Sequence, residues 1–259
     1  MLIFVHMHKC AGTAVRLAAQ RSGFKLPARH RNGYLVDAEG EALRFVGMKR
    51  PRFDRLMTTQ QRRGVTFFSM EWDFPPIDFF EPYDVRLFTV LRNPLDRAIS
   101  NYRYAKLRGR IPKTRTFRQL YKIENRSNAL SRAPNYFIRK LCSLSALAPI
   151  TEQHLEHAAE ILRQFKVVSV IGHHNLDADL QQLGITGLTQ TNVTSKLATE
   201  PNISPADIEV SAEDKAWYCE HNAFDIELVN LYAKSDSTGR RATQPEAASA
   251  SSESAVPRT

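Results

Sequence analysis

Three cysteines in 259 residues, Cys10, Cys142 and Cys219, are odd in number, widely spaced and part of no paired motif. That excludes a disulfide framework and paired Cys-x-x-Cys zinc or redox sites, and it favours free thiols in a reducing compartment. No apolar stretch approaches the roughly 20 residues that a membrane-spanning helix needs. The first apolar strand already starts at Leu2, so no secretion signal is expected and the reading is cytoplasmic. Asn192-Val-Thr194 is formally a glycosylation sequon, without meaning unless the chain is secreted. There is no internal repeat. From Ser235 onward Val256 is the one large apolar residue among Ser, Ala, Thr and Pro. Such a tail cannot offset its ordering entropy by burial, so 235–259 is expected to be disordered. Residues 1–234 form one domain in this reading, a size and a 42% hydrophobic content that suit a single large core.

Acidic residues are in the minority. The net charge is +9, which calls for an anionic partner. Between Arg92 and Arg118 stand Arg97, Arg103, Lys106, Arg108, Arg110, Lys113 and Arg115, with Asp96 the only acid. A run of this kind binds nucleic acid, steers an anionic substrate, or forms a solvated helix face. No aromatic stacking pattern or zinc-type spacing supports nucleic acid, which is not expected as a partner.

Two segments carry the chemistry. Leu2 to Val5 reads as a buried strand, and from Thr13 the apolar spacing (Ala14, Val15, Leu17, Ala18, Ala19) turns helical. Between them lies a short turn with Lys9 and Gly12. A strand, a tight turn and a helix N-terminus make an anion site, because the first turn's free N–H groups and the positive helix end point at one place. Lys9 and Thr13 add a charge and a hydroxyl. In the second segment Val85 to Leu91 is a strand, Arg92 stands at its carboxyl end, and Pro94 opens a helix with Leu95, Ile99 and Tyr102 on one face. Arg92 is thereby aimed off the carboxyl edge of a sheet, and Ser100 lies two turns along the helix, able to bond the same anion. A guanidinium suits phosphate bidentately. Two such sites imply a ligand with two separate anionic groups.

A P-loop kinase shares the strand–loop–helix plan. Its octet places Lys after the second Gly, whereas Lys9 precedes Gly12 and no such octet occurs. Magnesium-dependent phosphoryl transfer also needs an acid at a neighbouring strand end, but the strand from Val85 ends in Arg92 and that at 167–171 in Gly172-His173. His173-His174 is a poor metal pair, since adjacent loop residues point apart and no third ligand lies nearby; no metal is expected.

The segment His6-Met-His-Lys-Cys-Ala-Gly-Thr13 resembles the 5′-phosphosulfate loop of sulfotransferases that use 3′-phosphoadenosine-5′-phosphosulfate (PAPS), and Leu91-Arg-Asn-Pro-Leu-Asp-Arg-Ala-Ile-Ser100 resembles their 3′-phosphate segment. The similarity points to the carbohydrate branch that includes heparan sulfate 2-O-sulfotransferases and bacterial members. Asn135-Tyr-Phe-Ile-Arg-Lys-Leu141 and Asn222-Ala-Phe-Asp-Ile-Glu-Leu-Val-Asn-Leu-Tyr232 resemble two further motifs of it, so the likeness spans about residues 1–234. His8 and Cys10 depart from the family's more usual Pro and Thr. The resemblance implies PAPS as co-substrate without a metal, and it implies a P-loop-like nucleotide-binding sulfotransferase fold. It implies nucleotide contacts from Lys9, Cys10, Ala11, Gly12, Thr13, Ala14, Arg92 and Ser100, with Lys9 stabilising the leaving phosphate. Lys196 resembles a late loop closing over the cofactor, and Arg139 a substrate or cofactor contact; by its apolar neighbours alone, Arg139-Lys140 reads as an exposed face.

For the base, 65–69 reads as a strand, and Glu71 and Asp73 follow at the sheet's carboxyl edge with Trp72 and Phe74 around them. Apolar neighbours raise a carboxylate's pKa, so Glu71 is the expected catalytic base, ahead of Asp73 and then His8. The acceptor side is expected over 103–118, where Tyr102, Tyr104 and Tyr121 stand among cations. That suits an anionic saccharide, or a glycolipid reached by peripheral contact with an anionic membrane.

Strands are expected at 2–6, 44–48, 65–69, 85–91 and 167–171, and helices at 13–22, 54–63, 95–108, 115–124, 134–141, 152–165, 175–183 and 212–234. Their alternation predicts an α/β fold, a parallel sheet covered by helices on both faces.

Overall fold

The computed structural model describes residues 1–31, 33–37, 39–122, 130–189 and 204–235. Four strands, β1 (Leu2–Val5), β4 (Phe67–Met70), β5 (Arg86–Leu91) and β6 (Val167–Val170), form a parallel sheet in the order β4-β1-β5-β6. A short antiparallel pair, β2 (His30–Arg31) and β3 (Tyr34–Leu35), extends it beyond β4. β1, β4 and β6 are buried along their whole length, as continuous apolar strands covered on both faces must be. Phe4 stacks on Phe88 across β1 and β5 at 4.9 Å between ring centres. Burying each such ring stabilises the fold by about 2–3 kcal/mol.

The helices are α1 (Gly12–Arg21), α2 (Arg50–Arg62), α3 (Pro94–Leu107), α4 (Phe117–Tyr121), α5 (Tyr136–Leu141), α6 (Glu152–Arg163), α7 (Leu176–Gln181), α8 (Ala212–His221) and α9 (Ala223–Ala233). Ala98, Tyr102 and Ala105 of α3 close a second apolar cluster with Phe117, Leu120 and Tyr121 of α4 and Tyr218 of α8. From β1 the chain proceeds to β4 on one side, then crosses to β5 on the other. The order therefore reverses between β1 and β5, and open α/β sheets bind ligands outside the carboxyl ends of the strands at that point.

Two expectations are corrected and one pair of strands is added. Residues 44–48 are not a strand but a loop, because the backbone N–H of Phe45 donates to Asp73 Oδ1 (3.0 Å) and that of Met48 to Phe45 O (2.9 Å). The sheet is extended instead by β2 and β3, two residues each, too short to show periodicity. The helix expected over 212–234 breaks at Asn222.

That break joins the two late motifs. Asn135 N–H donates to Asn222 Oδ1 (2.9 Å), Asp225 N–H donates back to Asn135 Oδ1 (3.1 Å), and the Asp225 carboxylate accepts from the N–H groups of Phe137 (2.8 Å) and Ile138 (3.1 Å). A buried carboxylate thus caps the start of α5, and burial pushes it up to about 6. The tail from 236 lies outside the described residues.

Candidate active site

The parallel register sets Val5 beside Met70 and Phe4 beside Phe88. The loop leaving β1 at His6 therefore runs beside Glu71, which follows β4, while Arg92 follows β5. Within that loop Lys9 and Ala11 adopt left-handed backbone (φ 67 and 57), a costly conformation for non-glycine residues that tends to mark functional turns. Gly12 has a different necessity: a Cβ there would meet the His6 ring at 2.1 Å. α1 begins directly after, with no side-chain cap and no acid in its first turn, and its first backbone bond is Val15 N–H to Ala11 O (3.0 Å). The N–H groups of Gly12, Thr13 and Ala14 consequently lack intrahelical partners and face the loop's mouth, an anion site by construction. Cys10 offers neither of its donors in this conformation: its N–H bonds Met7 O (3.0 Å), and its thiol is buried and pushed up to about 12 by that burial.

Arg92 and Ser100 are half-buried. Asn93 caps α3 by accepting from the N–H groups of Leu95 and Asp96 (3.0 and 3.2 Å), with Pro94 next in line, so the turn holding Arg92 is built from the β5–α3 junction itself. One stripe of α3 faces the loop. It presents Asn101 to His8 and Tyr104 to Lys9, whose Nζ lies 3.9 Å from the centre of the Tyr104 ring. Burial, Arg92 and Arg110 together bring Lys9 down to about 8.

Glu71 is not raised by apolar neighbours as expected. Burial does push its pKa up, but His6, His8 and Lys140 outweigh it and hold the carboxylate at about 2. His6 itself is pulled to about 4 by burial and is neutral near pH 7, so the hydrogen bond to His8 and the Lys140 ammonium do the holding there. Glu71 Oε1 lies 3.0 Å from His8 Nδ1, and His8 Nε2 lies 3.1 Å from Asn101 Oδ1. The Tyr121 hydroxyl donates to Ala98 O (3.1 Å) and accepts from Asn101 Nδ2 (3.2 Å), which turns the Asn101 oxygen toward His8. The His8 ring is thus held between the Glu71 carboxylate and the Asn101 amide. His8 N–H also donates to the Tyr136 hydroxyl (3.0 Å).

Lys140, read from sequence as exposed, is fully buried. Its ammonium donates to His6 O (2.6 Å), Met70 O (2.7 Å) and Glu71 O (2.7 Å). It thereby ties the loop after β1 to the end of β4. Burial brings it down to about 7, opposed by Glu71 and Asp73, while three acceptors require the three donors that only the ammonium has. Arg139 is buried as well, and its guanidinium donates to Pro134, Ser145 and Ala148 carbonyls. The geometry makes it a loop anchor. Asp73 is equally committed, accepting from Arg44 Nε (2.8 Å) and the N–H groups of Phe45 and Val46, which removes it from the choice of base.

The basic run divides. Arg97 and Lys106 are buried, Lys106 donating to Lys113 O; Arg118 pairs with Glu213 and Asp214, and Lys113 with Asp207. Tyr102 and Tyr121 are buried too and present no face to a sugar. The exposed ring is Trp72, 38% accessible, next to Glu71 and stacked at 6.4 Å on His8. His174 is occupied by Val170 N–H and Ser235 O, and no group of three potential metal ligands occurs among the described residues. No helix among them is long and apolar enough to cross a membrane. Lys196 lies outside the described residues.

Sequence reasoning missed Asn101 and Lys140 and put Tyr104 on the acceptor side, whereas its ring lies against Lys9. The 97/101/104/108 spacing on α3 was the available signal for Asn101 and Tyr104; nothing local marks Lys140.

No family model and no curated protein matches the chain. Among solved structures it is similar to that of a sulfotransferase from Alicyclobacillus acidocaldarius, with a TM-score of 0.45 and 18% identity over 88% of this chain and 95% of that one. It is also similar to a retinol dehydratase in complex with androsterone and the inactive cofactor PAP, with a TM-score of 0.31 and 15% identity over 87% of this chain and 65% of that one.

Proposed function

We propose that this protein is a PAPS-dependent sulfotransferase of the carbohydrate branch, acting on a hydroxyl of an anionic saccharide or glycolipid. The observation that carries the reading is the pairing of two anion sites, the uncapped start of α1 with Lys9 and the β5–α3 turn with Arg92, at the switch point between β1 and β5, with Glu71 beside them. PAPS supplies a sulfuryl group bonded to a phosphate that leaves as the 5′-phosphate of adenosine 3′,5′-bisphosphate (PAP).

Each residue then has a task. The Gly12–Ala14 N–H groups and the Thr13 hydroxyl hold the 5′-phosphosulfate, and Lys9 meets the charge growing on the leaving phosphate. Arg92 and Ser100 take the 3′-phosphate, and the resemblance adds Lys196 as a further nucleotide contact. Glu71 accepts the acceptor hydroxyl's proton as oxygen attacks sulfur. His8, pinned by Asn101, aims the carboxylate, and Trp72 gives a sugar ring a face to stack on. The three free thiols suit a cytoplasmic setting, where glycolipid precursors on an anionic membrane face are within reach.

A kinase fits less well, since the carboxylate beside the loop is taken by His8 rather than open to magnesium. A nucleic-acid binder is the less favoured reading, since Arg97 and Lys106 are buried and take no part in the exposed basic run. Calorimetric titration with PAP tests the reading. Micromolar binding without magnesium is the expected outcome; absence of PAP binding together with magnesium-dependent ATP binding would overturn it in favour of a kinase.

A further inference from the structure

Four cations meet at the mouth of the loop. Lys9 Nζ and the guanidinium carbons of Arg110 and Arg108 lie 3.9, 4.9 and 5.9 Å from the centre of the Tyr104 ring, and Arg92 is within electrostatic reach of Lys9. Among the described residues none of the four makes an ion pair. The acidic groups facing Lys9 are the buried Cys10 thiol and Glu71, and Glu71 is already held by His8.

Arg110 reaches the ring through a defined backbone reversal, not a flexible arm. α3 ends in a Schellman turn: Gly109 N–H donates to Lys106 O (2.9 Å) and Arg110 N–H to Ala105 O (2.8 Å), with Gly109 at φ 60. This turns the chain back over the last turn of α3, so Arg110 returns to Tyr104, which lies one turn beyond Ser100. The ring's electron-rich face attracts each cation by about 0.5–2 kcal/mol. That does not neutralise a set of like charges of which Lys9 and Arg92 are half-buried and Arg108 and Arg110 exposed. A multiply charged anion does.

We propose that Arg110, turned back by Gly109 and seated on Tyr104 beside Lys9, is a further anion-binding residue of the nucleotide site, contacting the phosphosulfate end together with Lys9. This rests on the sulfotransferase reading and moves Arg110 from the acceptor side of the basic run to the nucleotide side. Because Lys9 is the phosphosulfate-loop lysine, a guanidinium sharing its ring meets the same end of the nucleotide, while Arg92 remains for the 3′-phosphate. Arg110 also faces Lys9 as a like charge, so its removal eases the Lys9 ammonium.

The test is PAP titration of the full chain across pH, with acceptor kinetics alongside. Wild type binds PAP and loses affinity as pH rises through about 8, where Lys9 gives up its proton. Arg110→Ala weakens PAP binding about tenfold or more near pH 7, the scale of one charge-assisted hydrogen bond, and shifts the alkaline midpoint upward. Arg110→Lys recovers part of the affinity, and Gly109→Ala, which strains the reversal, weakens binding with Arg110 still present. The acceptor KM stays unchanged in Arg110→Ala. Unchanged PAP affinity with a raised acceptor KM would overturn the proposal alone; no PAP binding by the wild type would overturn the sulfotransferase reading and this with it.

Discussion

Replacing Glu71 by Gln separates charge from shape at the centre of the site. The amide keeps the size of the side chain and can still accept a hydrogen bond from His8, but it removes the anion that His8 and the buried Lys140 surround. The Glu71 side chain is only 10% exposed, so its charge is poorly screened. Its pKa stands at about 2 instead of 4.5, which at about 1.4 kcal/mol per unit corresponds to roughly 3 kcal/mol as an upper bound. A carboxylate with a depressed pKa contributes stability above its ordinary pKa and loses it as pH falls through the folded value. The gap between wild type and Glu71→Gln should therefore be about 2–3 kcal/mol near pH 7 and close between pH 4.5 and about 2. Urea denaturation at several pH values measures it. In parallel, turnover should fall by about 10²-fold or more, with PAP affinity near wild type. A stability gap that persists in acid would show that the charge was not its cause. Joint loss of PAP binding and turnover would make Glu71 structural and place the base elsewhere.

Two further perturbations probe the scaffold. Gly12→Ala puts a methyl group 2.1 Å from the His6 ring; it should destabilise by about 1–3 kcal/mol and weaken PAP binding, measured by thermal unfolding and titration. Lys140→Met leaves the carbonyls of His6, Met70 and Glu71 without their shared donor; it should cost about 3 kcal/mol or more, and because a cation near Glu71 is lost, the acid limb of the stability profile should move to higher pH.

Much of the α/β plan was legible in the chain because buried parallel strands advertise themselves. Leu2–Val5, Leu87–Leu91 and Val167–Val170 are largely apolar buried runs, interrupted only by Thr89 and Ser169, and helix starts such as Asn93-Pro94 carry their own capping chemistry. The 30–35 hairpin escaped because two-residue strands have no period. The loop at 44–48 reads as a strand because Phe45 and Met48 are apolar and buried by packing, while Val46 is exposed and the backbone N–H groups of Phe45 and Val46 bond Asp73. The helix over 212–234 looked continuous because what breaks it, the exchange between Asn135 and Asn222, joins residues far apart in sequence.

The sequence by itself determined the strand–loop–helix order, the placing of Lys9, Gly12, Thr13 and Arg92 at strand ends, and the excess of positive charge. Those properties depend on neighbours within a turn or two of chain. Only the tertiary structure decided which charges are spent. It buried Lys140 and Arg139 against carbonyls, committed Asp73 to a loop and Arg97 to the interior, and drew Glu71 down toward His8 where apolar context alone predicted a rise. It also brought Arg110 back to Lys9. A charged side chain's role depends on which distant groups desolvate or neutralise it, and those are assigned by packing across the sheet, not by spacing along it.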